Sequence, residues 1–321
     1  MPGTNSQSLD LVRSRLAGRR VTDVRPLAGG ASSLTYVGAV GGQRVVVKMA
    51  PPGLPPTRHR DVLRQARIIR ALGGTSVPVP EVLWEDAGDP PLFVMTFLDG
   101  EAAEPLFDAG PAHATVAQRM RNAARVMAEL HGVDVAAVGL GDEPVVGPGA
   151  EVDRWCRALE TVDPGVAPGW PSVADELRAT TPTALPTSLV HGDFRLGNLL
   201  ADGARINAVV DWEIWSAGDP RVDVGWFLVN ADPDTYRRVT PHLGSTPSPA
   251  ELTDVYADAL GAEVADLDWF QALACFKSAA TWSLLVKNNR RRVDPDPELE
   301  AMAPALPRLI DRAAHFLSAA V

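Results

Sequence analysis

At 321 residues the chain is long enough for two domains or one two-lobed unit, and its 46% hydrophobic and 22% charged content is that of an ordinary globular protein. No apolar run approaches the roughly 20 residues that span a bilayer, and Cys156 and Cys275 are too few and too far apart for a disulfide framework or a zinc site. The net charge of −10 is uneven: residues 1–98 carry 12 Lys and Arg against 7 Asp and Glu, whereas residues 99–321 carry 18 against 33. A basic front half suits a polyphosphate ligand and an acidic rear half could attract a cationic acceptor. No basic stripe with interleaved aromatics is present, so neither a nucleic-acid nor a membrane partner is expected. The first twenty residues hold Asp10 and four Arg with no apolar core, so no signal peptide is expected and the location is read as cytoplasmic.

In chain order, a helix is predicted over 8–17, followed by three strands of an antiparallel meander over 21–27, 34–40 and 43–49. The turn between the first two holds Gly29, Gly30, Ser32 and Ser33, small and hydroxyl residues whose backbone N–H groups could approach a phosphate. In the third strand, alternation sets Val45, Val47 and Met49 on one face and Arg44, Val46 and Lys48 on the other. Lysine is scarce: Lys48, Lys277 and Lys287 stand against 27 Arg. A lysine inside an apolar strand of such a chain suits nucleotide phosphates. A helix over 58–72 carries the inward stripe Val62, Gln65, Ile69 and Leu72, closed by Gly73-Gly74. The polar Gln65 on that face should hydrogen-bond a neighbour, and Lys48 is the candidate. Strands over 81–85 and 92–98 follow, with Met95 to Leu98, including Phe97, as a hinge whose backbone would read a nucleotide base.

The rear half reads as mainly helical, with helices over 115–131, 151–160, 173–179, 222–230, 249–260, 267–287 and 298–320, and a loop over 132–150. His131 is expected to be a packed histidine, and Asp219 and Asp223 to cap a helix or anchor a loop. The stretch that organises the whole chain lies between: His191-Gly192-Asp193-Phe194-Arg195-Leu196-Gly197-Asn198, then a short apolar run that delivers Asp211. Protein kinases place a catalytic Asp, an Asn five positions on, and a metal-binding Asp after a short strand. Asp193, Asn198 and Asp211 have that order and spacing. Asp193 would orient an acceptor hydroxyl more than deprotonate it, since an ordinary carboxylate is a poor base for an alcohol. Asn198 and Asp211 offer hard oxygen ligands for Mg²⁺. Arg195 would either neutralise charge on the transferring phosphoryl group or pair with a nearby carboxylate.

Taken together, VVVKM, FVMTFLDG, LVHGDFRLGNLL and VVDWEIWSAGDPRVDVGW resemble the aminoglycoside phosphotransferase (choline kinase-like) family, over roughly residues 20 to 290. The long form of the last two motifs looks closest to the phosphotransferase domains fused to acyl-CoA dehydrogenases. The resemblance implies an α+β, bilobal protein-kinase-like fold, with a small antiparallel-sheet N-lobe bearing one long helix over 1–98 and a mainly helical C-lobe over 99–321. It implies ATP or GTP with Mg²⁺, and phosphorylation of a hydroxyl on a small molecule, an antibiotic being one possible acceptor class. It assigns the base role to Asp193, metal binding to Asn198 and Asp211, and phosphate binding to Lys48. One departure stands out: the family commonly pairs its strand lysine with Glu, where this chain has Gln65 after Arg64, and Asp61 is the nearest substitute. That departure opens a second reading, a catalytically weak nucleotide-binding scaffold. A third, a binuclear metallohydrolase around His191, Asp193 and Asp211, lacks histidines at metal-ligand spacing. Oligomeric state is not legible.

Overall fold

The computed structural model describes residues 2–27, 33–107, 114–237 and 239–319. They divide into two compact units, one made of Met1–Ala102 with Asn198–Trp215, the other of Ala103–Gly197 with Ser216–Val321.

The first unit is built on a five-stranded antiparallel sheet of β1 (Thr22–Pro26), β2 (Leu34–Val40), β3 (Gln43–Met49), β4 (Val82–Asp86) and β5 (Leu92–Thr96), in the order β1-β2-β3-β5-β4. The alternation in β3 sorts its residues as expected. Val45, Val47 and Met49 are buried against Val12 and Leu16 of helix α1 (Pro2–Leu16), together with Val24, Tyr36 and Val94. The opposite face carries Val46 and Lys48 and is covered by helix α2 (Val62–Leu72). Asp61 caps α2, accepting the Arg64 N–H at 3.0 Å, a use of the short acidic side chain that is worth about 1 kcal/mol. The expected helix over 58–72 is therefore interrupted at Asp61, preceded by a single 3₁₀ turn, Arg58–Arg60.

The chain then enters the second unit with α3 (Val116–His131), the short strand β6 (Val145–Val146), α4 (Pro148–Leu159), α5 (Trp170–Ala179) and β7 (Ser188–Val190). Between Gly197 and Asn198 it returns to the first unit as the hairpin β8 (Leu199–Asp202) and β9 (Arg205–Val209). This hairpin is joined there by backbone bonds between Glu101 and Ala201 (2.8 and 3.0 Å) and from Val209 N–H to the Pro78 carbonyl (2.8 Å). The segment 198–215, expected with the rear lobe, thus packs with the front one.

After Trp215 come β10 (Ser216–Gly218), α6 (Arg221–Ala231), α7 (Pro233–Tyr236), α8 (Pro249–Leu260), α9 (Leu267–Arg290), α10 (Pro297–Glu300) and α11 (Leu306–Ala319). Strand β10 bridges β6 and β7 in a three-stranded sheet. Neither β6 nor β10 is legible in the sequence, because two or three residues carry no alternation. Helix α6 is buried along almost its whole length and packs against α9, which is buried from Trp269 to Ala280, so neither helix shows a single apolar stripe. Their close approach runs through Gly225, where a Cβ would meet the Phe270 carbonyl oxygen at 2.4 Å. Helix α8 is capped by Ser248, packs on α3, and is tied to it by Arg121 to Glu251 at 2.6 Å. Arg290 closes α9 with an exposed ion pair to Glu300.

Candidate active site

In the first unit the strand lysine has acquired the partner foreseen and one more. Lys48 Nζ donates to Gln65 Oε1 at 3.1 Å and to Asp211 Oδ1 at 2.9 Å. Gln65 is buried, and among the described residues its Nε2 has no acceptor. Asp61 is spent on capping α2, so it does not substitute for the missing Glu. Arg64 is held elsewhere, donating to the Trp215 carbonyl at 2.8 Å with its guanidinium 4.0 Å from the Trp215 ring centroid.

Asp211 follows β9 directly, and the Val210 N–H donates to the Asn198 carbonyl at 2.9 Å, so Asn198 and Asp211 leave the two ends of one hairpin side by side. Asp211 sits at φ +67, in the left-handed region that costs a non-glycine residue about 1 kcal/mol or more and is concentrated at functional positions. Its side chain is one-third exposed (33%) whereas Asn198 is buried. An amide oxygen and a carboxylate are hard donors, and Mg²⁺ needs only one or two protein groups besides phosphates and water. The pair therefore fits that ion. Among the described residues no group of three or more His, Cys, Asp or Glu is placed to hold a metal.

Ser33 is buried at the entrance to β2, while Gly29, Gly30 and Ser32 lie outside the described residues. Met95 sits near the end of β5, opposite Val46 and Val82. That strand ends at Thr96 rather than at 98; beyond it, Phe97 N–H donates to the Arg44 carbonyl at 3.1 Å and its ring lies 4.0 Å from the Arg44 guanidinium. The Phe97 amide is thus committed within the sheet, which leaves it less suited to reading a base than the hinge expectation assumed.

In the second unit the loop after β7 is held from below. Gly192 takes φ +82, which an L side chain rarely adopts. Asp223, fully buried on α6, accepts the His191 N–H at 2.6 Å and the Gly192 N–H at 2.8 Å. Its carboxylate also faces His131 Nε2 at 3.3 Å. Because an ionised carboxylate only accepts, His131 Nε2 carries a proton, and its Nδ1 lies 2.7 Å from the Tyr256 hydroxyl. Burial alone would push the Asp223 carboxyl up; the His131 bond and the two backbone donors hold it below the usual range instead. Asp219 is likewise structural: it accepts Arg221 Nε and Nη2 at 3.0 and 2.8 Å and the Leu185 N–H at 3.0 Å. Both aspartates anchor backbone, as expected.

Asp193 itself is only partly buried. Trp226 Nε1 donates to its Oδ1 at 2.7 Å, and Arg195 Nε lies 3.3 Å from each of its oxygens. Arg195 also pairs with Glu104, which in addition accepts the Gly197 N–H at 2.8 Å. Burial works against charge on Arg195, yet Asp193 and Glu104 together raise its pKa above the usual value. Burial pushes the Glu104 carboxyl up, and Arg195 draws it back down. Of the two readings for Arg195, pairing with nearby carboxylates is the one the geometry displays. Sequence reasoning passed over three neighbours of Asp193: Glu104, which carries no motif, Trp226, which ends the VDVGW run, and Lys277, which the scarcity of lysine could have flagged.

A family model described as the phosphotransferase enzyme family matches residues 23–273. The chain belongs to that family. Among curated proteins, family relatives include acyl-CoA dehydrogenase family member 10 of Mus musculus, 30% identical over 208 residues, covering 61% of this chain and 19% of that protein. Another is the probable acyl-CoA dehydrogenase IBR3 of Arabidopsis thaliana, 28% identical over 288 residues, covering 79% of this chain and 35% of that protein. The chain spans about a fifth to a third of the length of these relatives, and the resemblance to dehydrogenase-fused phosphotransferase domains read from the motifs stands. Among solved structures, a Ralstonia eutropha JMP134 protein provisionally named an aminoglycoside phosphotransferase superposes with TM-score 0.79 at 22% identity, over 97% of this chain and 98% of that one. A thermostable mutant of aminoglycoside phosphotransferase APH(4)-Ia, in a ternary complex with AMP-PNP and hygromycin B, gives 0.63 at 15% identity over 96% and 97%. At these identities the likeness shows the fold, which is the protein-kinase-like α+β arrangement anticipated, and family membership carries the coarse chemistry of a small-molecule phosphotransferase.

Proposed function

We propose that the protein is a Mg²⁺-dependent kinase that transfers the γ-phosphoryl group of ATP or GTP to a hydroxyl of a small acceptor. The observation that carries this reading is the Lys48–Asp211 ion pair at 2.9 Å beside Asn198, in a family of phosphotransferases. Lys48 would bind nucleotide phosphates, and Asn198 and Asp211 would hold the metal. When bound, Mg²⁺ offsets the charge of the β- and γ-phosphate oxygens. Lys48 and Asp211 pair with each other, so nucleotide and metal binding would part them and give each its own counter-charge. Asp193, with one oxygen fixed by the Trp226 indole, would accept the acceptor hydroxyl as a hydrogen-bond donor and aim its oxygen at the phosphorus. The Arg195 guanidinium would stabilise charge on the transferring group if it turns from Asp193. In this reading the first unit clamps nucleotide and the second presents the acceptor.

A nucleotide-binding scaffold is the second reading, supported by Gln65 standing where a charged partner for Lys48 is usual. The two separate in one experiment. Nucleotide consumption is followed with Mg²⁺ and ATP or GTP across aminoglycosides, macrolides, choline-like amines and hydroxy acids, free and CoA-linked. Turnover with at least one acceptor, reduced about 10³-fold in Asp193→Asn, is expected. Nucleotide binding without Mg²⁺-dependent turnover on any acceptor would leave the scaffold.

A further inference from the structure

The sequence holds three lysines, and one of them, Lys277, lies in the buried stretch of helix α9 between Phe276 and Ala279. Its Nζ donates to the Gly192 carbonyl and sits 3.7 Å from the ring centroid of Trp226, with Trp155 at 5.8 Å. Among the described residues no carboxylate lies within ion-pair distance of it. The charged groups that act on it from neighbouring elements are Asp193 on the loop, Glu151 and Arg154 on α4, and Asp223 on α6. The Gly192 N–H goes to Asp223 and its C=O to Lys277, so the residue before Asp193 is gripped by buried charges of opposite sign. The face of the Trp226 indole meets the Lys277 ammonium while its N–H meets Asp193.

An interior ammonium without an ion-pair partner is costly, and replacing such a charge by an apolar side chain of similar volume is commonly neutral or stabilising. Arginine, which this chain uses almost everywhere else, is bulkier and stays charged under all conditions. Packing alone therefore gives no reason for a lysine here. We propose that Lys277 is a positioning residue for Asp193, setting that carboxylate from behind through the Gly192 carbonyl and the Trp226 indole. The inference rests on the reading of Asp193 as the group that orients the acceptor. Consistent with the geometry, burial pushes the Lys277 pKa down to about 8, with Asp193, Glu151 and Asp223 pulling the other way and Arg154 adding to the fall. The ammonium is complete below that pH and is lost above it, so the basic arm of a pH–rate profile falls from about 8.

With three lysines, the full chain labelled at lysine Cε gives a resolvable NMR spectrum, and Lys277→Arg identifies the buried signal. That signal is expected to titrate near pH 8, with the Trp226 indole N–H resonance moving at the same midpoint. In Asp193→Asn the midpoint should fall by about half a pH unit as a favourable negative charge is removed. A Lys277 midpoint indifferent to Asp193, or an indole signal indifferent to the titration, overturns the proposal. Lys277→Met should melt no lower than the parent at pH 7, yet lose at least about tenfold in kcat with the nucleotide KM unchanged. A lysine kept for structure alone would melt lower on replacement. If Lys277→Met fails to fold, the proposal is overturned, because the ammonium is then structural. Failure of the kinase reading is separate: it appears as absent turnover in the parent protein and leaves the titrations unchanged.

Discussion

Two sets of candidate residues, Lys48 with Asp211 in the first unit and the Asp193 loop in the second, are built on opposite plans. In the first set the Asp211 carboxylate is one-third exposed, and its ion pair with Lys48 joins residues 163 positions apart. Around Asp193 the support is dense and buried: Asp223 beneath the loop, Lys277 and Trp226 behind the carboxylate, Arg195 and Glu104 beside it. The difference teaches where each set can yield. In the proposed reaction that pair parts to admit phosphate and metal, and the exposed Asp211 carboxylate is the partner that keeps water in reach. A carboxylate whose task is aim is best fixed by groups that stay put through the reaction.

Three substitutions probe that contrast, in descending order of effect. Asp223→Ala strips the acceptor from two buried backbone donors and from His131, and should cost on the order of 3–5 kcal/mol of folding stability in denaturant unfolding. Its pH signature carries a definite sign. The Asp223 carboxyl is held below its usual range in the folded chain, so its contribution is whole above that range and disappears as pH falls through the folded value. An acid-unfolding curve unchanged in Asp223→Asn would deny it that role. Lys48→Ala should lower kcat/KM for nucleotide by about 10²-fold and, by taking the donor from the buried Gln65 oxygen, cost about 1–3 kcal/mol of stability, less than Asp223→Ala. A loss of stability as large as that of Asp223→Ala would erase the contrast between the two sets. Smallest of the three, Gln65→Glu gives Lys48 a second carboxylate and loosens its hold on Asp211. The Mg²⁺ concentration for half-maximal turnover should then drop a few-fold, about 1 kcal/mol, as read by titration of activity against metal.

How far the sequence carried differs between the two units. Strands β2 and β3 were legible to the residue, because two β-branched-rich runs flank the Gly41-Gly42 turn. The Lys48–Gln65 bond was legible too, from a lysine and a glutamine each set on an apolar face. The second partner, Asp211, was not, since nothing local says that a residue 163 positions away returns to the sheet. In the rear half, helix existence was legible from apolar content. The burial of α6, and of α9 from Trp269 to Ala280, left no stripe from which to read which residues face Asp193. Glu104 shows the limit: it pairs with Arg195 across 91 positions, and no spacing rule connects them.

The return of 198–215 to the front unit has a practical side. Anyone wishing to exchange the front unit between members of this family must make three joints in the chain, one after residue 102 and one at each end of 198–215. A single cut at 102 would take the sheet and leave behind the hairpin that lines Asp211 up with Lys48. Chimaeras assembled from one contiguous block would inherit a front unit lacking two of its strands and the carboxylate they deliver, whereas an exchange that carries the hairpin along moves the Lys48–Asp211 pair as a single heritable module.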